Sequence, residues 1–233
     1  MSKAAVVLLS GGLDSTTCAA AARADGYDVL ALTIDYNQRH RVELDAAARA
    51  AKRFGARRHV VLTLDLSAFG GSALTDDIAV PKGEGDVDDS VIPPTYVPAR
   101  NTVLLSVALA FAEAEGARDI YIGVNALDYS GYPDCRPAFI AAFEALAAQA
   151  TKAGVEGERF RVHTPLIDLD KAGIALKAAE LGVDAGETWT CYDPVMREGA
   201  DGIEAFHCGR CDACRLRHKG FVEAGLPDPT RYA

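Results

Sequence analysis

The run Leu8-Leu9-Ser10-Gly11-Gly12-Leu13-Asp14-Ser15-Thr16-Thr17 has the residue types and spacing of an anion site. Two adjacent glycines let backbone N–H groups approach phosphate closely. Ser10, Ser15 and Thr16 add hydroxyl donors. The Ala-rich run that follows reads as a helix, whose N-terminus adds unpaired N–H groups and a partial positive charge. We take the segment from Leu8 through Cys18 as the phosphate-contacting part of the chain. Neither G-x-x-x-x-G-K-[ST] nor G-x-G-x-x-G occurs in the chain, so the kinase-type phosphate loop and the dinucleotide fingerprint are excluded.

A second chemical cluster lies near the C-terminus. Cys208-Gly209-Arg210-Cys211-Asp212-Ala213-Cys214 holds two overlapping C-x-x-C units, and Cys191 stands 17 residues before them. Four thiolates suit a closed tetrahedral zinc site, and an iron–sulfur cluster takes the same set. Zinc is the expectation, as one structural ion pinning the segment Tyr192–His207. Cys18 and Cys135 fall outside this set.

The elements that must position these residues alternate. Apolar strands are expected at Ala5–Leu9, Val29–Ile34, His59–Leu64, Asp119–Val124 and Phe160–His163. Helices are expected at Ser15–Asp25, about Arg41–Phe54, a span capped by Asn101 and running to Glu115, Pro137 to about Lys152, and Asp170–Leu181. The Asn101 helix is apolar almost all round and is expected to be buried. Short, near-continuous apolar strands divided by helices imply an α/β fold with a doubly wound parallel sheet and ligands at the carboxyl ends of the strands. The stretch Ser67–Thr95, rich in Gly, Pro and acids, reads as a long surface loop, either a lid or a flexible excursion. Two regions follow: 1–185 as a nucleotide-binding α/β domain carrying the 67–95 insertion, and 186–233 as a zinc-binding, helical region packed on it.

The chain has 233 residues and a net charge of −9. An acidic chain does not hold nucleic acid by bulk charge, so no direct nucleic-acid partner is expected. No apolar run approaches the ~20 residues of a membrane span. The chain starts straight into a strand, so a cytoplasmic protein without a membrane partner is expected. The basic stretch Arg210, Arg215, Arg217, His218 and Lys219 reads as a solvated helix face or as a phosphate-facing one. His40, His163, His207 and His218 show no acid at useful spacing, so no general base is named.

The S-G-G-x-D-S string resembles the pyrophosphate loop of ATP pyrophosphatase-type enzymes. Five further segments appear in order: Ile34-Asp35-Tyr36-Asn37-Gln38-Arg39-His40, Val97-Pro98-Ala99-Arg100-Asn101-Thr102, Asp128-Tyr129-Ser130-Gly131-Tyr132-Pro133-Asp134-Cys135-Arg136, Thr188-Trp189-Thr190-Cys191 and the cysteine triplet. Together they resemble the family of 7-cyano-7-deazaguanine synthases of queuosine precursor biosynthesis, from about Ala5 to Phe221. Two departures stand out. Asn37 and Ala99 occupy positions where the family has glycine. Asn tolerates a left-handed φ, whereas Ala tolerates it poorly.

The resemblance implies a homodimeric, ATP-dependent carbon–nitrogen ligase with magnesium and one zinc per subunit. It would convert 7-carboxy-7-deazaguanine and ammonia to the nitrile through adenylated acid and amide intermediates. Ser10 to Thr16 would then cradle the departing pyrophosphate. Asp14 is the nearest magnesium ligand, or only a helix cap. Asp134 would accept hydrogen bonds from the amino and imino edge of the base, or belongs to a turn with Pro133. Arg136, Arg39 and Arg100 are the cations for substrate carboxylate or phosphates, with Arg136 foremost as a catalytic group. Tyr129, Tyr132 and Trp189 are the rings able to stack on the base, or are core.

Overall fold

The protein's structure, a computed structural model, describes residues 3–37, 42–83, 92–125, 132–199 and 202–233. Arg39, Tyr129, the start of the second helix at Arg41 and the acids Glu84, Asp86, Asp88 and Asp89 lie outside the described residues.

Five parallel strands form the central sheet: β1 (Ala4–Leu8), β2 (Asp28–Asp35), β3 (Arg58–Thr63), β4 (Asp119–Tyr121) and β5 (Arg161–His163), in the order β3-β2-β1-β4-β5. The middle strand β1 is Ala-Ala-Val-Val-Leu, with four of its five residues buried. It can be apolar throughout because helices cover both faces of a parallel sheet. Helices α1 (Leu13–Ala24), α2 (Val42–Arg53), α6 (Lys171–Glu180) and α7 (Asp212–Glu223) lie over one face, packing Leu13, Cys18, Ala47, Ile174 and Phe221 against Val7 and Leu9. Helices α3 (Arg100–Ala114) and α4 (Pro137–Ala150), with the short α5 (Lys152–Val155), cover the other, packing Leu105, Ala108, Phe143 and Ala147 against Val6 and Leu30.

The strand order reverses direction at β1, which pairs with β2 on one side and β4 on the other. A crevice opens at the carboxyl ends of strands flanking such a switch point. The Gly-Gly loop after β1 sits there. Gly123, just past β4, makes the corner tight, because a Cβ on it would lie 3.1 Å from Asp14 C and Ser15 N.

Several expectations need correction. Asn101 does not cap α3; Ala99 does, at φ 52° and ψ 24°, and Asn101 is inside the helix. Nor is α3 buried all round: Leu105, Ala108, Leu109 and Ala112 face the core while Thr102, Ser106 and Ala110 are exposed. An apolar sequence with no periodic polar stripe does not say which side meets the sheet. The segment expected as a pinned loop after Tyr192 contains an antiparallel hairpin, β6 (Val195–Gly199) and β7 (Gly202–Phe206). The 67–95 stretch is anchored in its described parts. Ser72, Ala73, Leu74 and Thr75 are buried, the Ala73 N–H donates to Pro94 O at 2.8 Å, and Ala73 and Val80 pack on the cysteine cluster. No described helix is long and apolar enough to cross a membrane.

Candidate active site and metal centre

The crevice is a cavity of about 290 Å³ whose walls come from the ends of β1, β2 and β4 and from the starts of α1, α3 and α6. Of the phosphate-contacting segment, Leu8, Leu9, Ser10, Gly12, Leu13, Asp14 and Ser15 line it. Gly11, Thr16, Thr17 and Cys18 do not. Cys18 is fully buried in the layer between sheet and helices, where burial pushes its thiol up. Thr17 Oγ1 donates to Leu13 O at 2.7 Å.

The loop is held by its own hydroxyls. Ser15 Oγ donates to Gly12 O at 3.2 Å and accepts from the Ser10 N–H at 3.2 Å. Gly11 is required for two reasons. Its φ is 84°, and a Cβ would lie 2.5 Å from both Ala47 N and Glu43 O on α2. The wedge against α2 brings the start of α1 to the cavity, where its free N–H groups and dipole favour an anion.

Asp14 does not act as a cap. The N-cap of α1 is Gly12, without a side-chain cap bond, and Asp14 Oδ2 instead accepts from Lys171 Nζ at 2.8 Å. Lys171 opens α6, after an Asp170 side chain that caps Gly173 N–H. Both members of the pair line the cavity. Sequence reading missed Lys171, because 157 positions separate it from its partner and no local motif marks it.

The substrate candidates divide. Arg100 lines the cavity, its guanidinium 6.0 Å from the Tyr36 ring centroid. Burial acts against its charge, but the Tyr36, Tyr192 and Tyr132 phenols and the Asp134 carboxylate surround it and raise its pKa. Tyr132 and Trp189 line the cavity, as do Tyr36 and Tyr192, which the sequence reading did not name as stacking rings. Arg136 is exposed and is not among the cavity-lining residues. Asp134 is buried and, like Arg136, is not among the cavity-lining residues; its Oδ2 accepts from the Asn101 N–H at 3.1 Å at the first turn of α3. Asn101 Nδ2 answers by donating to Asp134 O at 3.1 Å and to Cys135 Sγ at 3.4 Å. Cys135 also lines the cavity, and burial followed by the Asp134 charge pushes its thiol up to about 11, so it is a neutral thiol at pH 7.

Two readings of basic groups change. His163 does have an acid, Asp119, at 2.7 Å; Asp119 opens β4, His163 closes β5, and the two meet only because these strands pair. Arg217 is no solvated helix residue. It is buried, lines the cavity, and donates to Thr188 Oγ1 at 2.8 Å, Thr190 Oγ1 at 3.0 Å, Ala185 O at 2.7 Å and Thr230 Oγ1 at 2.6 Å. Its neighbours His218 and Lys219 are exposed.

The four cysteines come together as the spacing implied. Cys191, Cys208, Cys211 and Cys214 are all buried, with sulfur atoms within 4.8 Å of one another. Tetrahedral zinc with thiolate bonds of 2.3 Å would space them about 3.8 Å apart, so the set fits with small adjustments. Backbone N–H groups of Asp193 and Cys208 point at Cys191 Sγ, and those of Arg210 and Cys211 at Cys208 Sγ, at 3.2 to 3.4 Å. Such donors stabilise thiolates in a metal's outer shell. Hydrogen bonds from Cys191 and Cys214 also drive the Cys211 thiol well below its usual range.

Comparisons with known proteins agree with this geometry. The family described as queuosine biosynthesis protein QueC matches residues 4–225. A 7-cyano-7-deazaguanine synthase of Rhizorhabdus wittichii is 64% identical over 229 residues, covering 98% of this chain and 95% of the relative. One of Novosphingobium aromaticivorans is 64% identical over 228 residues, covering 98% and 94%. 7-cyano-7-deazaguanine synthase 1 of Sphingopyxis alaskensis is 62% identical over 231 residues, covering 99% of both chains. This chain is therefore an enzyme of the queuosine-biosynthesis family of 7-cyano-7-deazaguanine synthases.

Proposed function

We propose that the enzyme makes 7-cyano-7-deazaguanine from 7-carboxy-7-deazaguanine and ammonia, with ATP activating oxygen twice. The substrate carboxylate attacks the α-phosphorus and pyrophosphate leaves, giving an acyl adenylate. Ammonia displaces AMP and loses one proton to give the amide. The amide oxygen then attacks a second ATP, again releasing pyrophosphate. Loss of AMP and the remaining amide protons leaves the nitrile.

The observation that carries this reading is the cavity at the β1/β4 switch point, walled together by the Gly-Gly loop, Arg100 and several tyrosines. The loop's N–H groups and Lys171 suit the charge that builds on the departing pyrophosphate. Asp14 suits a magnesium ion, which when bound would neutralise phosphate charge. Arg100 is the better placed cation for the substrate carboxylate, its fork matching two oxygens. Tyr36, Tyr132, Tyr192 and Trp189 offer faces to a planar bicyclic base. Asp134, one oxygen of which is committed to Asn101, stands next in the chain to the lining residue Cys135 and is the carboxylate assigned to the base. Arg136 and Arg39 remain candidates as cations for the substrate carboxylate or phosphates.

The four cysteines suit structural zinc, since all four positions of a tetrahedron are filled. In this reading 1–185 binds the nucleotide and the metal-stapled 186–233 closes the cavity from behind. A cytoplasmic homodimer is part of the same proposal, and exposed Val61 and Leu62 on the edge strand β3 are compatible with a partner subunit. The test is incubation with 7-carboxy-7-deazaguanine, ATP, magnesium and ammonium, read by product mass. The nitrile is expected; an absence of nitrile and of AMP would overturn the reading.

A further inference from the structure

We infer that Arg217 is a positioning residue that aims the pyrophosphate loop, acting through the strap Thr188-Trp189-Thr190 rather than by touching phosphate. The inference rests on the ATP-binding role proposed above for the Gly-Gly loop.

The strap joins three things. At its centre the Trp189 N–H donates to Gly11 O at 2.8 Å, and Trp189 O is the first atom a Cβ on Gly12 would meet, at 3.3 Å. At its end stands Cys191, a member of the cysteine cluster. Behind it lies the Arg217 guanidinium, with Nη1 shared between Thr188 Oγ1 and Thr190 Oγ1 and Nη2 on Ala185 O. The same guanidinium is tied on its far side to Thr230 Oγ1 and to the Asp228 carboxylate at 3.6 Å. A buried arginine with this many acceptors is rigid, and its planar fork sets the direction of each bond.

The consequence for the loop follows from the peptide bond. In a trans peptide C=O and N–H point opposite ways. Gly11 O is held by the strap, so the Gly12 N–H points away from it, into the loop, where its nearest acceptor is Ser10 Oγ at a long 3.5 Å. That N–H is thereby left aimed at the anion seat. On the other side Gly11 is wedged against α2. Without the strap the Gly11–Gly12 peptide is flanked by two flexible residues and can flip, which removes a donor from the seat.

Two variants separate this from its rivals, with ATP affinity measured by calorimetry alongside steady-state kinetics. Arg217→Met should raise the ATP Kd and KM ten- to a hundred-fold, with a smaller change in kcat and in the KM for the deazaguanine acid. Added guanidinium ion should recover part of the ATP affinity. Thr188→Val with Thr190→Val, which removes the acceptors and leaves the charge, should reproduce the ATP defect. Metal content should stay at the wild-type value in both. If the double threonine variant binds ATP normally while Arg217→Met does not, Arg217 contacts the nucleotide directly and the inference falls. If both bind ATP as the wild type does, it falls as well. Should the wild type itself bind no ATP, the functional proposal fails instead, which the same titration reveals. Should Arg217→Met not fold, the threonine variant alone decides.

Discussion

Asp14 and Lys171 form an ion pair of 2.8 Å beside the Gly-Gly loop, joining the first turn of α1 to the first turn of α6. Both side chains are partly open to the cavity, at 30% and 14% exposure, so either can change partners when an anion and its counter-ion arrive. Lys171→Met should lower kcat/KM for ATP by about 10²–10³, the usual effect of removing one cation or donor aimed at developing charge. Asp14→Asn should weaken the magnesium dependence more than it weakens nucleotide binding at saturating metal. Wild-type kinetics in Lys171→Met would assign the pair a purely structural role.

Gly11 offers an internal control for steric contact against backbone strain. Gly11→Ala places a methyl 2.5 Å from α2 backbone at φ 84°, whereas at Gly26, with φ 86°, a methyl would meet nothing within 4 Å. Gly26→Ala should lose only about 1 kcal/mol, the left-handed penalty. Gly11→Ala should lose several times as much and should abolish ATP binding; thermal melts and calorimetry on the two variants check this.

Ala99 holds φ 52° at the N-cap of α3, a position for which alanine is poorly suited. Ala99→Gly relieves a strain of roughly 1–2 kcal/mol and adds back part of it as chain entropy in the unfolded state. A net gain of about 0.5–1 kcal/mol is expected in urea unfolding, with the Arg100 side chain and substrate KM little changed.

Asp134 has a structural duty that can be separated from base recognition. Its Oδ2 accepts the buried Asn101 N–H. Asp134→Asn keeps an acceptor there, while Asp134→Ala leaves the N–H unsatisfied and should cost about 1–3 kcal/mol. Both should lose nitrile formation, because a neutral amide offers one acceptor and a mismatched donor to the amino and imino edge of the base. A fully active Asp134→Asn would remove Asp134 from substrate recognition.

Metal removal should act on stability before chemistry. Structural zinc is worth about 10–16 kcal/mol in small peptides, and here the cluster holds together the hairpin side, Ala73, Val80 and the start of α7. Cys211→Ser should lose metal by elemental analysis and fall in soluble yield. A soluble, metal-free, active Cys211→Ser would contradict a structural site.

Much of the site was legible because it depends on local chemistry. A strand, two glycines and a helix start offer backbone N–H groups to an anion, and three cysteines in seven residues with a fourth close by offer a set able to hold a metal. Alternating apolar strands and helices were enough for a doubly wound sheet, since each strand's apolar run has to be covered on both faces. Asn37, at φ 61°, takes the left-handed turn its residue type allows.

What tertiary structure decided are the relations between distant segments. Lys171 reaches Asp14 only once α6 packs beside α1, and a charge on an apolar helix start has no periodicity to announce it. Arg217 reads as one more surface cation among neighbours until α7 turns it inward onto the strap. Arg100 entered the cavity and Arg136 did not, though the motif strings had put Arg136 foremost. Residue type sets what a side chain can bond, whereas the packing of helices on the sheet sets what lies within reach of it.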